Sequence, residues 1–170
     1  MTDDQAATAA SVLDQVEACA ADLVDHVVDT VRIPSVSGTD AENDAQAHMA
    51  RLFDDGGLDV DHWRIDLDRL TADPEFPGME VERREAWGLV GRLAGAGDGR
   101  ALMLNGHIDV VPIGDPGAWT ATPFGGEIRA DDLYGRGSCD MKAGLLAAHW
   151  AVQAIRRAGV RLRGDVLVAS

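Results

Sequence analysis

The sequence predicts an α/β or α+β fold with a mixed sheet, because helical and strand-like segments alternate along its 170 residues. Hydrophobic residues make up 46% of the chain, which is typical of a globular protein and too high for a disordered one. The length suits one domain, and no internal repeat is visible.

The first predicted helix spans residues 12–31 and follows a polar tail at residues 1–11. Its apolar positions recur at steps of three and four, which is the spacing of an amphipathic helix. Pro34 follows directly, and the residue before a proline avoids the helical region, so the helix is expected to end there.

A second helix is predicted to begin with a capping box formed by Thr39 and Glu42. Its apolar face carries Ala45, Met49, Leu52 and Phe53, and the Gly56-Gly57 pair ends it. A third helix is predicted for residues 141–158, with Gly159 as its stop.

Strands are predicted where short apolar runs lie between turn residues, namely at 58–65, 86–93, 101–104, 133–134 and 163–169. Residues 66–84 are predicted to form a polar surface excursion. The glycine-rich segment 95–99 is interpreted as a hairpin turn between the second and third strands. Residues 105–131 form a long loop, and loops of that length inside a compact domain are often functional.

Composition excludes several classes of function. The net charge of −14 argues against a nucleic-acid partner, because phosphate binding requires clustered basic residues. No segment has the roughly 18 apolar residues of a membrane span, and the N-terminus lacks the pattern of a secretory signal. Two cysteines make neither a disulfide framework nor a zinc cluster, so a cytoplasmic location is expected.

His107 and Asp109 are the first candidate site residues, just after the strand at 101–104. Residues i and i+2 of an extended segment point to the same side. His107 could therefore bind a metal through one ring nitrogen while a carboxylate holds the other. The alternative is an ordinary loop histidine, since His-x-Asp is common by chance.

Asp140 follows a glycine-rich turn and precedes the third helix. A carboxylate there could bridge two cations, and together with an imidazole it suits zinc, cobalt or manganese. The alternative is a helix-capping aspartate.

Other features receive structural interpretations. The glycines at 135–137 precede a helix, but Asp140 would repel a phosphate, which argues against nucleotide binding. Cys139 is interpreted as a small packed residue, and the Trp119, Pro123 and Phe124 side chains as a patch that pins the long loop. The remaining histidines are interpreted as ordinary surface or core residues: His26, His48, His62 and His149.

Taken together, three segments are far more specific than their parts. They are LNGHIDVVP at 104–112, W-x3-PF at 119–124 and LYGRGSCDMKAG at 133–144. This pattern resembles the dizinc metallohydrolase family of acetylornithine deacetylase, succinyl-diaminopimelate desuccinylase, aminoacylase and glutamate carboxypeptidase. The segment IPSVSG at 33–38 is similar to the family's first helix-to-loop junction.

The resemblance implies a three-layer αβα catalytic domain over residues 12–170, with a mixed central sheet like that of zinc exopeptidases. It implies that His107 is a zinc ligand, that Asp109 is the catalytic carboxylate orienting His107, and that Asp140 bridges two metal ions. Zinc is the first expectation, with cobalt or manganese as alternatives. The family chemistry is hydrolysis of an amide bond in an N-acyl amino acid or small peptide, by a cytoplasmic homodimer.

The resemblance also implies elements without a counterpart in this chain. The family's general-base glutamate and adjacent ligand follow a strand like the one at 163–169, and a dimerisation domain comes later. The chain is therefore expected to be truncated on its C-terminal side and to be inactive alone. The alternative is a non-catalytic relic or binding module that retains the fold.

Overall fold

The computed structural model describes residues 2–170 and contains five α-helices and six strands within that range. The helices are α1 (Asp3–Ala18), α2 (Ala20–Arg32), α3 (Asp40–Asp55), α4 (Leu67–Thr71) and α5 (Ala143–Arg157). The strands are β1 (Asp59–Arg64), β2 (Trp87–Leu93), β3 (Leu102–Asn105), β4 (Glu127–Arg129), β5 (Asp132–Tyr134) and β6 (Val166–Ala169).

Four of these strands form one mixed sheet, in the order β1-β2-β6-β3. The pairs β1–β2 and β2–β6 are antiparallel, whereas β3 and β6 run parallel, with Leu104 opposite Val168. Strands β4 and β5 form a separate antiparallel pair. The prediction of a mixed α/β fold is therefore confirmed.

The predicted hairpin at residues 95–99 is wrong, because β6 lies between β2 and β3 in the sheet. The segment instead packs against the chain just before β6. The amide of Gly95 donates to the Asp165 carboxylate at 2.8 Å, and a Cβ at Gly95 or Gly99 would collide with the backbone of Gly164. The glycines are needed for this close backbone approach.

The core lies between the sheet and the helices α3 and α5. Met49 and Phe53 of α3 and Leu146 of α5 are fully buried, as is Leu89 of β2. These residues recur at helical spacing in the two helices, so periodicity alone selects most of the buried face. The predicted apolar face of α3 is confirmed, except that Leu52 is only partly buried.

The N-terminal region differs from the prediction. Residues 3–11, predicted as a polar tail, are helical, because Thr2 forms a capping box with Gln5 at the start of α1. The single helix predicted for 12–31 is two helices that meet at Cys19, which is 2% exposed. Met1 lies outside the described residues.

The capping box predicted for α3 does not form. Thr39 Oγ1 donates to the carbonyl of Val36 at 2.6 Å instead of capping the helix. Glu42 accepts from the Gly38 amide at 2.6 Å and from Arg83 Nε at 3.0 and 3.1 Å. Tertiary contacts have replaced the local motif, and they connect α3 to the excursion at residues 66–84.

The long loop at 105–131 contains a 3₁₀ turn at Pro116–Ala118 and most of the β4–β5 hairpin. The indole of Trp119 donates to the carbonyl of Ile113 at 2.8 Å, and Arg136 lies over its ring, so Trp119 does anchor the loop. No helix within residues 2–170 is long and apolar enough to cross a bilayer.

Candidate metal centre

The candidate site lies beyond the carboxyl end of β3, where the chain continues alongside the junction at residues 35–37. Val36 and Val110 form a parallel bridge, the Val110 amide donates to the Ser35 carbonyl at 2.8 Å, and Ser35 Oγ donates to the Ile108 carbonyl at 2.7 Å. These bonds keep residues 107–110 extended without a full strand.

Side chains alternate along this extended segment. Ile108 and Val110 are 2% and 3% exposed, and Ile108 packs in the core. His107 and Asp109 line a cavity of about 520 Å³, which the buried Val110 also borders. His107 and Asp109 therefore lie on the same side of the extended segment, as their i, i+2 spacing predicts.

Asp140 enters the same cavity from an irregular turn at Ser138–Lys142, just before α5. Gly137 adopts φ +81°, and a Cβ there would collide with the side chain of Val110, so only glycine fits. The Asp140–Met141 peptide bond is cis. Helix α5 begins at Ala143 rather than at the predicted Met141, because Asp140 and Met141 have non-helical backbone angles.

Lys142 anchors this turn from inside the protein. Its side chain is fully buried, and Nζ donates to the carbonyls of Thr30 at 2.8 Å and Ile33 at 2.7 Å at the end of α2. Burial lowers the pKa of Lys142 to about 8. The single lysine of the chain thus joins the turn that carries Asp140 to the junction at residues 33–38.

The two imidazole nitrogens of His107 face different carboxylate residues. Nε2 lies 3.1 Å from Oδ1 of Asp140. Nδ1 lies 3.0 Å from the backbone oxygen of Asp109 and 3.3 Å from its Oδ1. The structure thus brings the three residues together, with the Asp109 backbone oxygen slightly nearer the ring than its carboxylate.

The pKa of His107 lies above its ordinary value. Partial burial of the ring lowers the pKa, but the hydrogen bonds to Asp109 and Asp140 and their negative charges outweigh this effect. The ring lies between two acidic residues, and this environment also favours a bound cation.

The second oxygen of Asp109 is held by two further residues that the sequence analysis did not assign. Ser37 Oγ donates to Oδ2 at 2.5 Å, and Arg83 Nη2 lies 3.7 Å from the same oxygen. Arg83 is in turn fixed by Glu42. Ser37 lies in the segment IPSVSG at 33–38, whose resemblance to the family could have identified it as a site residue. No sequence pattern in the polar excursion at 66–84 distinguishes Arg83.

The remaining cysteine and histidine candidates are distinguished by whether they line the cavity that holds His107. Cys139 is exposed and lines the cavity, so its interpretation as a packed residue is wrong. None of the other four histidines lines the cavity that holds His107; for example, His48 Nε2 lies 3.2 Å from Thr30 Oγ1. Within residues 2–170, no cluster of three or more His, Cys, Asp or Glu side chains has the arrangement of a complete metal site.

Known proteins are similar in sequence to the part of the chain that carries the candidate site. Residues 103–170 match the sequence model of "Peptidase family M20/M25/M40". The chain is 39% identical over 126 residues to succinyl-diaminopimelate desuccinylase 1 of Ruegeria sp. (strain TM1040), covering 74% of this chain and 28% of the relative. It is 44% identical over 94 residues to the succinyl-diaminopimelate desuccinylase of Ruegeria pomeroyi, covering 55% and 23%.

Solved structures share the fold at low sequence identity. The di-peptidase Dug1p from Saccharomyces cerevisiae superimposes with a TM-score of 0.75 at 19% identity, over 94% of this chain and 33% of that one. Human carnosine dipeptidase 1 gives a TM-score of 0.72 at 22% identity, over 93% and 33%. The chain spans about a quarter of the length of the curated relatives and a third of these structures. Residues 103–170 are therefore similar in sequence to peptidase family M20/M25/M40, and the chain shares the fold of these structures.

Proposed function

We propose that the whole protein containing this chain hydrolyses an amide bond in an N-acyl amino acid or small peptide, with two divalent metal ions as cofactors. The observation that carries this proposal is the 3.1 Å separation between His107 Nε2 and Asp140 Oδ1, inside the segment that matches the family. Zinc is the preferred ion, with cobalt or manganese as alternatives.

The two donor atoms fit one metal ion. Two ligands bound to a tetrahedral zinc at about 2.0–2.2 Å lie roughly 3.3 Å from each other, close to the separation found here. The Asp140 side chain is 89% exposed, so its other oxygen remains available for a second ion. This supports a bridging role for Asp140.

Asp109 is proposed to orient the imidazole of His107. By accepting a hydrogen bond from Nδ1, it would keep the proton on that nitrogen and leave Nε2 free to bind metal. Ser37 and Arg83 would hold the Asp109 carboxylate in place through its other oxygen.

When bound, such ions polarise the amide carbonyl as Lewis acids and lower the pKa of water towards neutrality. The residues of this chain contribute by binding through His107 and Asp140 and by orienting through Asp109. The family resemblance assigns the proton-accepting glutamate and the remaining ligands to sequence that follows the strand corresponding to β6. The proposal therefore places them in the whole protein, outside residues 1–170.

The substrate class is supported by the names of the relatives. The curated relatives are named as desuccinylases, which favours an N-acyl amino acid, and two structural neighbours are named as dipeptidases, which favours a small peptide. A cytoplasmic homodimer that binds neither nucleic acid nor membrane remains part of the proposal.

The test is an assay of the whole protein with several N-acyl amino acids and dipeptides, after metal removal and after addition of zinc or cobalt. We expect metal-dependent hydrolysis that Asp140→Asn abolishes and Asp131→Asn, at an exposed position outside the site, leaves intact. The chain of residues 1–170 assayed alone should show no comparable turnover. A whole protein that binds metal but hydrolyses none of these substrates would favour the non-catalytic alternative.

A further inference from the structure

A second cavity lies at the opposite end of α5 from the candidate metal centre. Its volume is about 300 Å³, and it is bordered by residues of α2, by the end of α3 and by the second half of α5. The 15 residues of α5 separate its two ends by roughly 20 Å. None of the residues that line this cavity lines the cavity that holds His107.

Buried polar atoms without partners are concentrated at this cavity. Among residues 2–170, eight buried side-chain atoms have no hydrogen-bond partner, and four of them belong to residues lining the cavity. The four atoms are His26 Nδ1, His149 Nδ1, Trp150 Nε1 and Gln153 Nε2. The side chains of His149, Trp150 and Gln153 are nonetheless 2%, 7% and 2% exposed.

The chemistry of these atoms selects the kind of partner that they lack. The indole nitrogen of Trp150 and the amide nitrogen of Gln153 can only donate hydrogen bonds. Burial, followed by the nearby positive charges of His26, Arg156 and Arg157, lowers the pKa of His149 to about 4, so its ring is neutral near pH 7 and Nδ1 can also donate. A ligand that supplies acceptor oxygens would satisfy all three side chains.

Two arginines add positive charge at the same place. Arg157 lies over the Trp150 ring at 5.0 Å, and its nearest acidic contact is Asp22 at 3.9 Å. Arg156 donates to Gln153 Oε1 at 3.2 Å and forms no ion pair with a described carboxylate. Asp55 also lines the cavity, so the positive charge is partly opposed. Both arginines are exposed residues that line the cavity, and Arg157 Nη1 also donates to Cys19 Sγ at 2.9 Å.

We propose that this cavity binds a small oxyanion, a molecule bearing a carboxylate or phosphate group. Its oxygens accept hydrogen bonds from Trp150 Nε1 and Gln153 Nε2, and Arg156 and Arg157 balance its charge. The inference is independent of the proposed hydrolysis, because it uses none of the residues assigned to the metal centre.

The experiment titrates the chain of residues 1–170 with inorganic phosphate and, separately, with acetate, at constant ionic strength maintained with chloride. The indole N–H resonances of the four tryptophans are recorded by ¹H–¹⁵N NMR, with Trp150 assigned from Trp150→Phe. We expect a saturable shift of the Trp150 resonance and a Tm that rises by roughly 3–6 °C at about ten times Kd.

Variants separate binding from general salt effects. Gln153→Leu and Arg156→Gln should each remove the Tm rise, whereas Arg100→Gln, which makes the same charge change at an exposed position outside the cavity, should retain it. A response to phosphate alone identifies a phosphate-bearing ligand, and a response to acetate alone identifies a carboxylate-bearing one. If neither anion shifts Trp150, or if all four indoles shift alike, the cavity holds only water and the proposal is overturned.

Discussion

His107 Nε2 lies 3.1 Å from Oδ1 of Asp140, although 33 residues separate the two positions in the chain. His107 is placed by the extended segment after β3, and Asp140 by the irregular turn before α5. Two independent loops therefore converge at one edge of the sheet, where ligand-binding crevices of α/β proteins occur.

The two aspartates of the site should differ in their importance. In the whole protein, Asp140→Asn removes a charge that would be shared by two cations, whereas Asp109→Asn removes only a group that orients a ligand. We expect Asp109→Asn to lower kcat/KM by about 10–100-fold and Asp140→Asn to lower it further. Steady-state kinetics of both variants measure this difference. A larger loss for Asp109→Asn than for Asp140→Asn would show that the two roles are misassigned.

Arg83 should affect activity through Asp109. Arg83→Met leaves Glu42 without its ion-pair partner and removes the cation beside Asp109 Oδ2, so the Asp109 carboxylate gains freedom. We expect kcat/KM of the whole protein to fall by about 3- to 10-fold, less than for a direct partner of the ligand. Arg84→Met is the matched control, because Arg84 is exposed and contacts neither acid. Equal losses in the two variants would contradict the network.

Several parts of the fold and the site follow from sequence because their causes are local. The alternation that buries Ile108 and exposes His107 is a property of extended backbone, and the periodicity of α3 and α5 reports their buried faces. Most strands begin and end within two residues of their predicted bounds, although β6 begins three residues after its predicted start.

Other parts depend on contacts between distant segments and could not be predicted locally. β6 inserts between β2 and β3, so the glycines at 95–99 serve close packing rather than a hairpin. Glu42 accepts a hydrogen bond from Arg83 instead of forming the predicted capping box, and no local sequence pattern identifies Arg83 as its partner. The buried position of Lys142 likewise depends on the end of α2, 109 residues earlier at Ile33.

Lys142 should contribute to stability. Lys142→Met removes one buried hydrogen bond from each of the Thr30 and Ile33 carbonyls, which keep only a backbone amide donor. We expect this loss to outweigh the gain from removing a buried charge. We expect the free energy of unfolding of the chain to fall by about 1–3 kcal/mol, measured by urea denaturation. Cys139→Ser, at an exposed position in the same turn, is the control. A change in Lys142→Met no larger than that of the control would contradict this role.

His149 should make stability depend on pH. Its pKa is about 4 in the folded protein, chiefly because of burial, and about 6.5 when unfolded, so the unfolded state binds more protons between these values. Its contribution is therefore fully present above pH 6.5 and is lost as the pH falls towards 4, by up to about 3 kcal/mol.

The comparison that isolates this effect is urea denaturation of the wild-type chain and His149→Leu at several pH values, without added phosphate or acetate. The difference between the two free energies of unfolding should change steadily between pH 6.5 and 4 and remain constant above that window. A difference that is independent of pH throughout would show that the ring of His149 is not shielded from protonation.

The most direct test of the metal centre is a crystal structure of the whole protein grown with zinc, with the ions located from zinc anomalous scattering. We predict one ion within about 2.0–2.2 Å of both His107 Nε2 and an oxygen of Asp140, and a second ion bound to the other Asp140 oxygen. Zinc bound elsewhere, with His107 and Asp140 still in direct contact and without metal, would contradict the account.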